Sequence, residues 1–381
     1  MLTRGCDTKM NRKNGKIMLL LFFVILLIFL IVYTYTIFFK ESKEQDDMPN
    51  NSEVCKVVLQ EGESKDIANS NMDNLNNALQ CAHKNNITYL KVPKGNYYFN
   101  VYDGVGKSIL IDFPNITLDL NESIFNVYQN NSTSYNLIKI TNPEPGFVTI
   151  KNGTLIGDRA KHTCVDGSPM TCKDGILLCP NDYPYPSMHG YAHGVVIFTE
   201  DVNIENLKVS GMVGDGIYVN ISVTDNAKKN GIINITNNII ENCRRNGISI
   251  IDGRNINIKN NIIRYMHGTS PQAGIDFERN ADTQYYENIL IEGNSIYGND
   301  GRWSIQIFNG VRGFLKILNN HLGDQIIALD TIGPVESDII TIANNDMNIP
   351  EGIDKCVVDP NKSLSSNERN CTPRYQDERC S

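Results

Sequence analysis

The 381-residue chain has no surplus of basic residues: 35 lysines and arginines stand against 43 aspartates and glutamates, so its net charge is −8 at pH 7. This negative charge argues against nucleic acid or an anionic surface as a bulk partner of the chain. Tryptophan is scarce, with one residue in all. The chain is also built of repeated units that leave no room for a long amphipathic helix. We therefore predict no nucleic-acid partner and no helical repeat.

A short phrase recurs instead, in which a β-branched strand precedes a turn that contains asparagine. Its first clear copy is at residues 202–207. The equivalent apolar position is filled by Ile204, Ile235, Ile258, Ile291, Ile317 and Ile342. These positions are 31, 23, 33, 26 and 25 residues apart, which is typical of repeats whose units bury their apolar faces against one another. Short strands with alternating polarity then predict an all-β fold, a single parallel β-helix.

Each unit contains a second strand, and residues two apart on a strand share a face. The predicted inward column is Ile217, Ile248, Ile275, Ile305 and Ile327. The predicted outward column is Val196, Tyr218, Ser249, Asp276, Gln306 and Ala328. The turn asparagines should form a further column, which is Asn206, Asn238, Asn261, Asn294, Asn320 and Asn345. We interpret the asparagine column as structural, because stacked amides satisfy one another and the turn backbone.

The segments around the repeats complete the domain organisation. Residues 75–82 have helical spacing and precede a Pro-x-Gly turn at residues 93–95, so a helix should cover the open end of the solenoid. We assign the β-helix domain with this cap to residues 70–350. A linker is expected at residues 40–69, and a cysteine-containing tail at residues 351–381.

The N-terminal region predicts a membrane anchor. Residues 17–39 carry no charged side chain and are long enough to span a bilayer, while basic residues predominate before them and no small-x-small cleavage site follows. We expect a cytoplasmic tail at residues 1–16 and an uncleaved signal anchor. The β-helix would then lie outside the cytosol, at the cell surface or in a secretory lumen, in a single-pass type II membrane protein. A cleaved signal peptide is the alternative.

Nine of the ten cysteines follow the apolar run, and this density in an exported domain predicts disulfide bonds. Because nine is odd, one thiol is free or pairs between chains, and the connectivity stays open. Cys164, Cys172 and Cys179 are expected to staple a loop rather than bind zinc, given their spacings of 8 and 7. Glycosylation is expected in a eukaryotic host at the sequons. They include Asn50, Asn86, Asn115, Asn121, Asn131, Asn152, Asn361 and Asn370.

Several segments resemble the pectate-lyase-like right-handed β-helix superfamily, which includes polygalacturonase-type glycoside hydrolases, polysaccharide lyases, polyuronate epimerases and phage tailspikes. The resemblance covers about residues 70–350 and rests on a Val-Pro-Lys-Gly-x-Tyr segment and on five middle segments. These are residues 92–97, 157–162, 193–197, 214–217, 244–248 and 271–278. It implies the right-handed fold and a polysaccharide or glycan as partner. Of the four polygalacturonase motifs, only Gly-Asp-Gly at residues 214–216 stands near its expected place.

The outward columns gather residue types that carbohydrate sites use: carboxylates for acid–base chemistry, arginines for acidic sugars and aromatic rings for stacking. The candidate catalytic residues are Asp276, Glu278 and Asp215. Strand rise separates Asp276 and Glu278 by roughly 6–7 Å, which overlaps the carboxyl gap of about 6.5–9.5 Å in inverting hydrolases. The candidate substrate-binding residues are His193, Tyr218, Arg244, Arg245, Gln272, Arg302, Trp303 and Gln306.

Two classes of function follow. The first is a membrane-anchored extracytoplasmic enzyme acting on a polysaccharide, with a glycoside hydrolase preferred over a polysaccharide lyase or a uronate epimerase. The second is a non-catalytic β-helix that binds glycan or serves as an adhesin. A carboxylate pair with a raised pKa favours the enzyme, whereas an ion-pair ladder neutralised by arginines favours the binder. No cofactor and no metal are expected, since Gly190 and a following strand argue against a helical metal pair of His189 and His193.

Overall fold

A computed structural model describes residues 54–102, 107–173, 176–181, 188–221, 231–308, 310–329, 340–351, 359–361 and 363–364. The predicted cytoplasmic tail and the apolar run at residues 17–39 lie outside these ranges. Among the residues that are described, no helix combines the length and the apolar character needed to span a membrane.

One helix, α1 (Lys65–Lys84), precedes the strands in the described chain. The strands are β1 (Tyr89–Lys91), β2 (Asn96–Phe99), β3 (Ile109–Ile111), β4 (Ile116–Val127), β5 (Ser134–Ile140), β6 (Val148–Ile156), β7 (Thr171–Lys173), β8 (Ile176–Leu178), β9 (Tyr191–Ile197), β10 (Val202–Ser210), β11 (Ile217–Asn220), β12 (Ile233–Thr236), β13 (Ile239–Glu241), β14 (Ile248–Lys259), β15 (Ile262–Arg264), β16 (Ala273–Phe277), β17 (Tyr286–Glu292), β18 (Ser295–Tyr297), β19 (Trp303–Phe308), β20 (Val311–Leu318), β21 (His321–Leu322), β22 (Gln325–Leu329), β23 (Ile340–Ala343) and β24 (Ser363–Leu364). A short 3₁₀ helix, Met188–Gly190, precedes β9.

The strands stack as parallel coils, and the predicted β-helix is confirmed. The six isoleucines of the first column pair in the predicted order from Ile204 to Ile342. Three earlier coils extend the same column toward the N-terminus through Leu90, Leu118 and Ile150. Burying one face of every strand against the coil interior imposes this alternation, which explains why the repeat is visible in the sequence.

The second inward column is confirmed up to its last member. The residues that pair in register and are buried are Ile217, Ile248, Ile275 and Ile305. The prediction for the next coil is wrong, because a register shift within β19 pairs Ile305 with Ile326 rather than with Ile327. Gln306 accordingly pairs with Ile327 and not with Ala328. A slip of one residue exchanges the two faces of a strand.

The turn asparagines form a hydrogen-bonded ladder, as predicted. Its members are Asn238, Asn261, Asn294, Asn320 and Asn345. Each backbone N–H donates to the side-chain oxygen of the next asparagine, at 2.8 to 2.9 Å. The prediction for Asn206 is wrong, since Leu207 takes the ladder position and donates its N–H to Asn238 Oδ1 at 2.9 Å. Asn206 instead has a left-handed φ of 55°, which asparagine tolerates in a turn.

Helix α1 caps the N-terminal end of the solenoid. The Ser64 hydroxyl caps the N-terminus of the helix, because it accepts a hydrogen bond from the Ile67 N–H at 3.2 Å. The apolar face of the helix, which includes Leu75, joins the core of the coils. A disulfide between Cys55 and Cys81 ties the preceding segment to the helix, so ordered structure begins before the predicted domain start at residue 70.

An insertion loop, residues 157–190, leaves the regular coils between β6 and β9. Strands β7 and β8 form an antiparallel hairpin within it, and a disulfide between Cys164 and Cys179 closes it, which confirms the predicted staple. Cys172 is also disulfide-bonded, and Cys243 is a free, buried thiol of the described chain. The Leu177 N–H donates to the Gly268 carbonyl at 3.0 Å, so the loop is bound to a later coil.

Candidate functional site

One guanidinium joins the three predicted carboxylates. Arg245 Nη1 lies 3.0 Å from Asp215 Oδ2, Nη2 contacts Glu278 Oε2, and Nη2 also lies 3.9 Å from Asp276 Oδ2. Parallel stacking of the coils causes this convergence. Tyr218 lies two coils before Asp276 and aligns with it through β14, so Asp215, three residues before Tyr218, lies on the same side of the solenoid as Asp276. We call Asp215, Arg245, Asp276 and Glu278 the acidic cluster.

Asp276 is held by amide donors on both of its oxygens. Asn246 Nδ2 donates to Oδ2 at 3.0 Å and Gln306 Nε2 donates to Oδ1 at 3.1 Å. Burial raises the pKa of Asp276 well above its ordinary range, against the opposing charge of Arg245 and with a further contribution from Glu278. The neutral acid that burial favours can donate a hydrogen bond to Glu278.

The Asp276 and Glu278 side chains both approach Nη2 of Arg245, with Asp276 Oδ2 at 3.9 Å and Glu278 Oε2 in direct contact. Retaining glycosidases separate their carboxyls by about 5–5.5 Å and inverting ones by about 6.5–9.5 Å. Because both side chains turn toward the same nitrogen of Arg245, strand rise alone does not set the gap between the Asp276 and Glu278 carboxyls. We interpret Asp276 as the acid of the cluster, since burial raises its pKa.

Only one carboxyl of the acidic cluster reaches solvent. The Glu278 side chain is 34% exposed and the Arg245 side chain 20%, whereas those of Asp215 and Asp276 are buried. Asp276 thus points out of the solenoid without being accessible, since neighbouring side chains cover it. Burial opposes the charge on Arg245, but Asp215, Asp276 and Glu278 outweigh burial and raise its pKa.

His193 and Tyr218 lie beside the acidic cluster. His193 Nδ1 accepts the Asp215 N–H at 3.1 Å and lies 3.5 Å from Asp215 Oδ2. Its ring stacks on that of Tyr218 with centroids 4.6 Å apart, and Phe198 meets Tyr218 edge-on. Burial lowers the pKa of His193 to about 4, with Asp215 opposing this and Arg245 adding to it. The ring is therefore neutral at pH 7 and carries its proton on Nε2.

Four of the predicted binding residues serve the packing of turns. Arg244 is buried and donates to the Leu177 carbonyl at 3.0 Å from Nε and 2.6 Å from Nη2. Gln272 Oε1 accepts the Gly268 N–H at 2.8 Å. Trp303 is buried against Ala273 and offers no open face to a sugar. The fourth, Arg302, is buried in the turn before β19 with a φ of 64°.

Asn246 was not selected from the sequence, although it organises the acidic cluster. Its N–H donates to Asp215 Oδ1 at 3.0 Å, and its Nδ2 also donates to Ser249 Oγ at 3.0 Å. The signal was present, because Asp215 and Asn246 are each followed by a glycine that comes directly before an equivalent strand. Within the part of the chain that the structure describes, no group of three or more His, Cys, Asp or Glu is placed to hold a metal ion.

Residues 193–348 match the family model described as right handed beta helix region. Among solved structures, the chain is similar to the A-modules of mannuronan C-5 epimerases AlgE4 and AlgE6 of Azotobacter vinelandii. The identities are 12% and 14% and the TM-scores 0.37 and 0.38, over 68% of this chain in both cases and 76% and 75% of those chains. It is also similar to a mutant tailspike protein of E. coli bacteriophage HK620 in complex with a hexasaccharide. That identity is 13% and that TM-score 0.34, over 73% of this chain and 62% of the tailspike.

No curated protein matches the chain. The parallel coils, each paired in register with the next, agree with the matched family model over the region that carries the acidic cluster. The match supports the resemblance to the pectate-lyase-like superfamily and the right-handed β-helix fold that this resemblance implies.

Proposed function

We propose that the β-helix domain is a glycoside hydrolase that acts on a polysaccharide. The observation that carries the proposal is the convergence of Asp215, Asp276 and Glu278 on the guanidinium of Arg245. A buried carboxyl with a raised pKa beside an exposed carboxyl supplies an acid and a base at one place. Perturbed carboxyls of this kind are concentrated at functional sites.

Glu278 is the carboxyl that can touch a substrate, because it is the exposed member of the cluster. A proton held by the acidic cluster would pass through Glu278 to the glycosidic oxygen as the bond to the anomeric carbon breaks. Water would then add to that carbon and return a proton to the cluster. The oxocarbenium-like transition state carries positive charge, which the surrounding carboxylates would stabilise.

A polysaccharide lyase or a uronate epimerase fits the acidic cluster less well. Both reactions need a cation to neutralise the substrate carboxylate and a base to remove the neighbouring proton. Arg245, the cation of the acidic cluster, is already shared by three carboxyls. Hydrolysis requires no such free cation.

A non-catalytic glycan-binding or adhesin β-helix is the second candidate, and one observation favours it. The side chains of Asp215 and Asp276 are buried, and amide donors hold both oxygens of Asp276. A network of this kind can specify the structure of a coil without reacting. The two candidates differ in turnover and share glycan binding.

We also propose that the domain is exported and held at a membrane by residues 17–39, in the type II orientation. The disulfides Cys55–Cys81 and Cys164–Cys179, together with the disulfide-bonded Cys172, support an oxidising compartment. Exposed sequons such as Asn86, Asn115 and Asn131 support a glycoprotein if the host is eukaryotic.

A polysaccharide panel tests the proposed hydrolase. The full chain, purified in detergent, is incubated with each polymer, and reducing ends and unsaturated products are measured separately. New reducing ends without unsaturation that disappear in Glu278→Gln support hydrolysis. Unsaturated products indicate a lyase. Binding without any product supports the non-catalytic candidate.

A further inference from the structure

We infer that the acidic cluster takes an uncharged pyranose residue of its glycan and discriminates against a uronate. The inference deepens the proposed function and rests on it. Its basis is a count of charges around Glu278, where a substrate would have to enter, together with the aromatic rings on the same face of the solenoid.

Carboxyls outnumber cations at the entrance. Arg245 is paired with Asp215, Asp276 and Glu278. Even with Asp276 neutral, Asp215 and Glu278 compensate the single guanidinium, so no positive charge is left for a substrate carboxylate. The buried His193 is neutral at pH 7 and adds none. A uronate carboxylate brought next to Glu278 would meet repulsion in a partly desolvated site.

Among the residues that the structure describes, other cations of this region are engaged or distant. Arg244 and Arg302 are buried in turns. Arg279, the residue after Glu278, forms an ion pair with Asp282 at 3.2 Å. Lys139 belongs to the outward column of Asp276 but lies four coils before it, which is about 19 Å at roughly 4.8 Å per coil. Its ammonium group lies 5.6 Å from the centroid of the Phe198 ring.

The aromatic rings suit the apolar C–H face of a neutral sugar. Tyr218 is half-buried, stacked on His193 and flanked by Phe198. It lies two coils from Asp276, about 10 Å away along the outward column. Tyr191, at the start of β9, leaves 64% of its surface exposed on the adjoining coil. A glycan that follows this column would place one sugar over Tyr218 and another beside Glu278.

Matched pairs of oligosaccharides test the inference with the full chain in detergent. Oligogalacturonate, oligomannuronate and oligoglucuronate are each compared with their carboxyl-reduced forms, which keep the linkage and lose the charge. Binding is measured by calorimetry and turnover by new reducing ends. We expect a neutral member to bind at least about tenfold more tightly than its uronate partner, a difference of about 1.4 kcal/mol. Equal or tighter binding of the uronates, or no binding of any neutral member, would overturn the inference.

Charge variants connect the preference to the acidic cluster. Glu278→Gln and Asp215→Asn should each reduce the neutral-to-uronate affinity ratio severalfold, whereas Glu205→Gln on β10, the same change in another sheet, should leave it unchanged. If neither of the first two variants changes the affinity ratio, the discrimination arises elsewhere in the protein and the inference is overturned. If neutral oligosaccharides bind preferentially but are not turned over, the proposed hydrolase activity is refuted and the preference for an uncharged sugar stands. If only uronates are turned over, the protein is an enzyme but the preference for an uncharged sugar is refuted.

Discussion

Asp276 and Glu278, two residues apart in the chain, both approach Nη2 of Arg245, with Asp276 Oδ2 at 3.9 Å and Glu278 Oε2 in direct contact. This relationship joins a buried acid to an exposed one. Asp276 is fixed by Asn246 and Gln306 and cannot reach a substrate, whereas Glu278 can. A proton held by the pair is therefore available at the surface through Glu278, which is the geometry that general acid catalysis requires.

Glu278→Gln should abolish most turnover without unfolding the domain. The amide keeps the size of the side chain and an oxygen for Arg245, but it cannot transfer a proton to the substrate. We expect the rate of reducing-end release to fall by about 10²–10⁴. The thermal midpoint should change little, since the ion pair is partly exposed and contributes about 1 kcal/mol or less. Full activity of Glu278→Gln would contradict the assigned role, and Glu205→Gln serves as the charge-matched control.

His193 should make the stability of the domain fall with acidification. Its pKa is lowered to about 4 in the folded state by burial, from 6.5 in the unfolded chain. Between these values the unfolded state binds more protons, so the free energy of unfolding rises with pH and is fully present above 6.5. The shift corresponds to about 3 kcal/mol. The raised pKa of Asp276 acts with the opposite sign, because the folded state then holds the extra proton.

Comparison with His193→Gln separates the two contributions. Denaturant unfolding of both proteins at pH 7.5 and pH 5 gives the pH dependence of each. The wild type should lose more stability than the variant on acidification. Parallel behaviour of the two proteins would show that His193 does not titrate as its burial implies.

The coils could be predicted because one physical requirement repeats in every unit. Each strand must bury alternate residues, and the isoleucines from Ile204 to Ile342 therefore kept their spacing to the turns. The register of β22 could not be predicted in the same way. Its residues from Ile326 to Leu329 are all apolar, so no alternation marks which of them face inward.

The acidic cluster was predictable in part, because columns follow from strand pairing. This argument places Asp215, Asp276 and Glu278 on one side of the solenoid. It cannot decide where a long side chain points: Arg244 and Arg245 are neighbours, yet Arg244 binds the insertion loop and Arg245 binds the acids. The insertion loop contains no repeat by which it could be aligned with the coils, so its contacts could not be predicted from the sequence.

Ile275→Ala tests the inward column. Ile275 is fully buried between Ile248 and Ile305, and its truncation removes interior volume that the stacked coils cannot refill. We expect a loss of about 2–5 kcal/mol in the free energy of unfolding. Ile232→Ala, at an exposed position, should change it by about 0.5 kcal/mol or less. Equal midpoints for Ile275→Ala and wild type would contradict the register.

The orientation of the chain is tested at Cys6, which precedes the apolar run. A membrane-impermeant thiol reagent should label Cys6 only when the reagent has access to the cytoplasmic side of the membrane. Protease added outside intact cells should remove the β-helix domain. A protected domain would exclude the type II arrangement. A mature chain that lacks Cys6 would instead show that the apolar run is a cleaved signal peptide.

Asn294→Ala should destabilise the coils more than its polar side chain suggests. Asn294 Oδ1 accepts the Asn261 N–H at 2.9 Å, and its Nδ2 donates to the Ile258 carbonyl at 2.9 Å, all within a buried turn. Removal of the amide leaves that donor and that acceptor without partners, at a cost of about 1–3 kcal/mol for each. We expect the free energy of unfolding to fall by about 2–5 kcal/mol in a denaturant titration.

Asn257→Ala provides the matched control, since Asn257 donates at 2.9 Å to Asn234 on the outer face, where water can replace the bond. Its loss should be about 1 kcal/mol or less. Equal effects of Asn294→Ala and Asn257→Ala would mean that the ladder is no more than a set of surface hydrogen bonds. A larger effect of Asn294→Ala would show that the turns, as well as the isoleucine columns, hold successive coils in register.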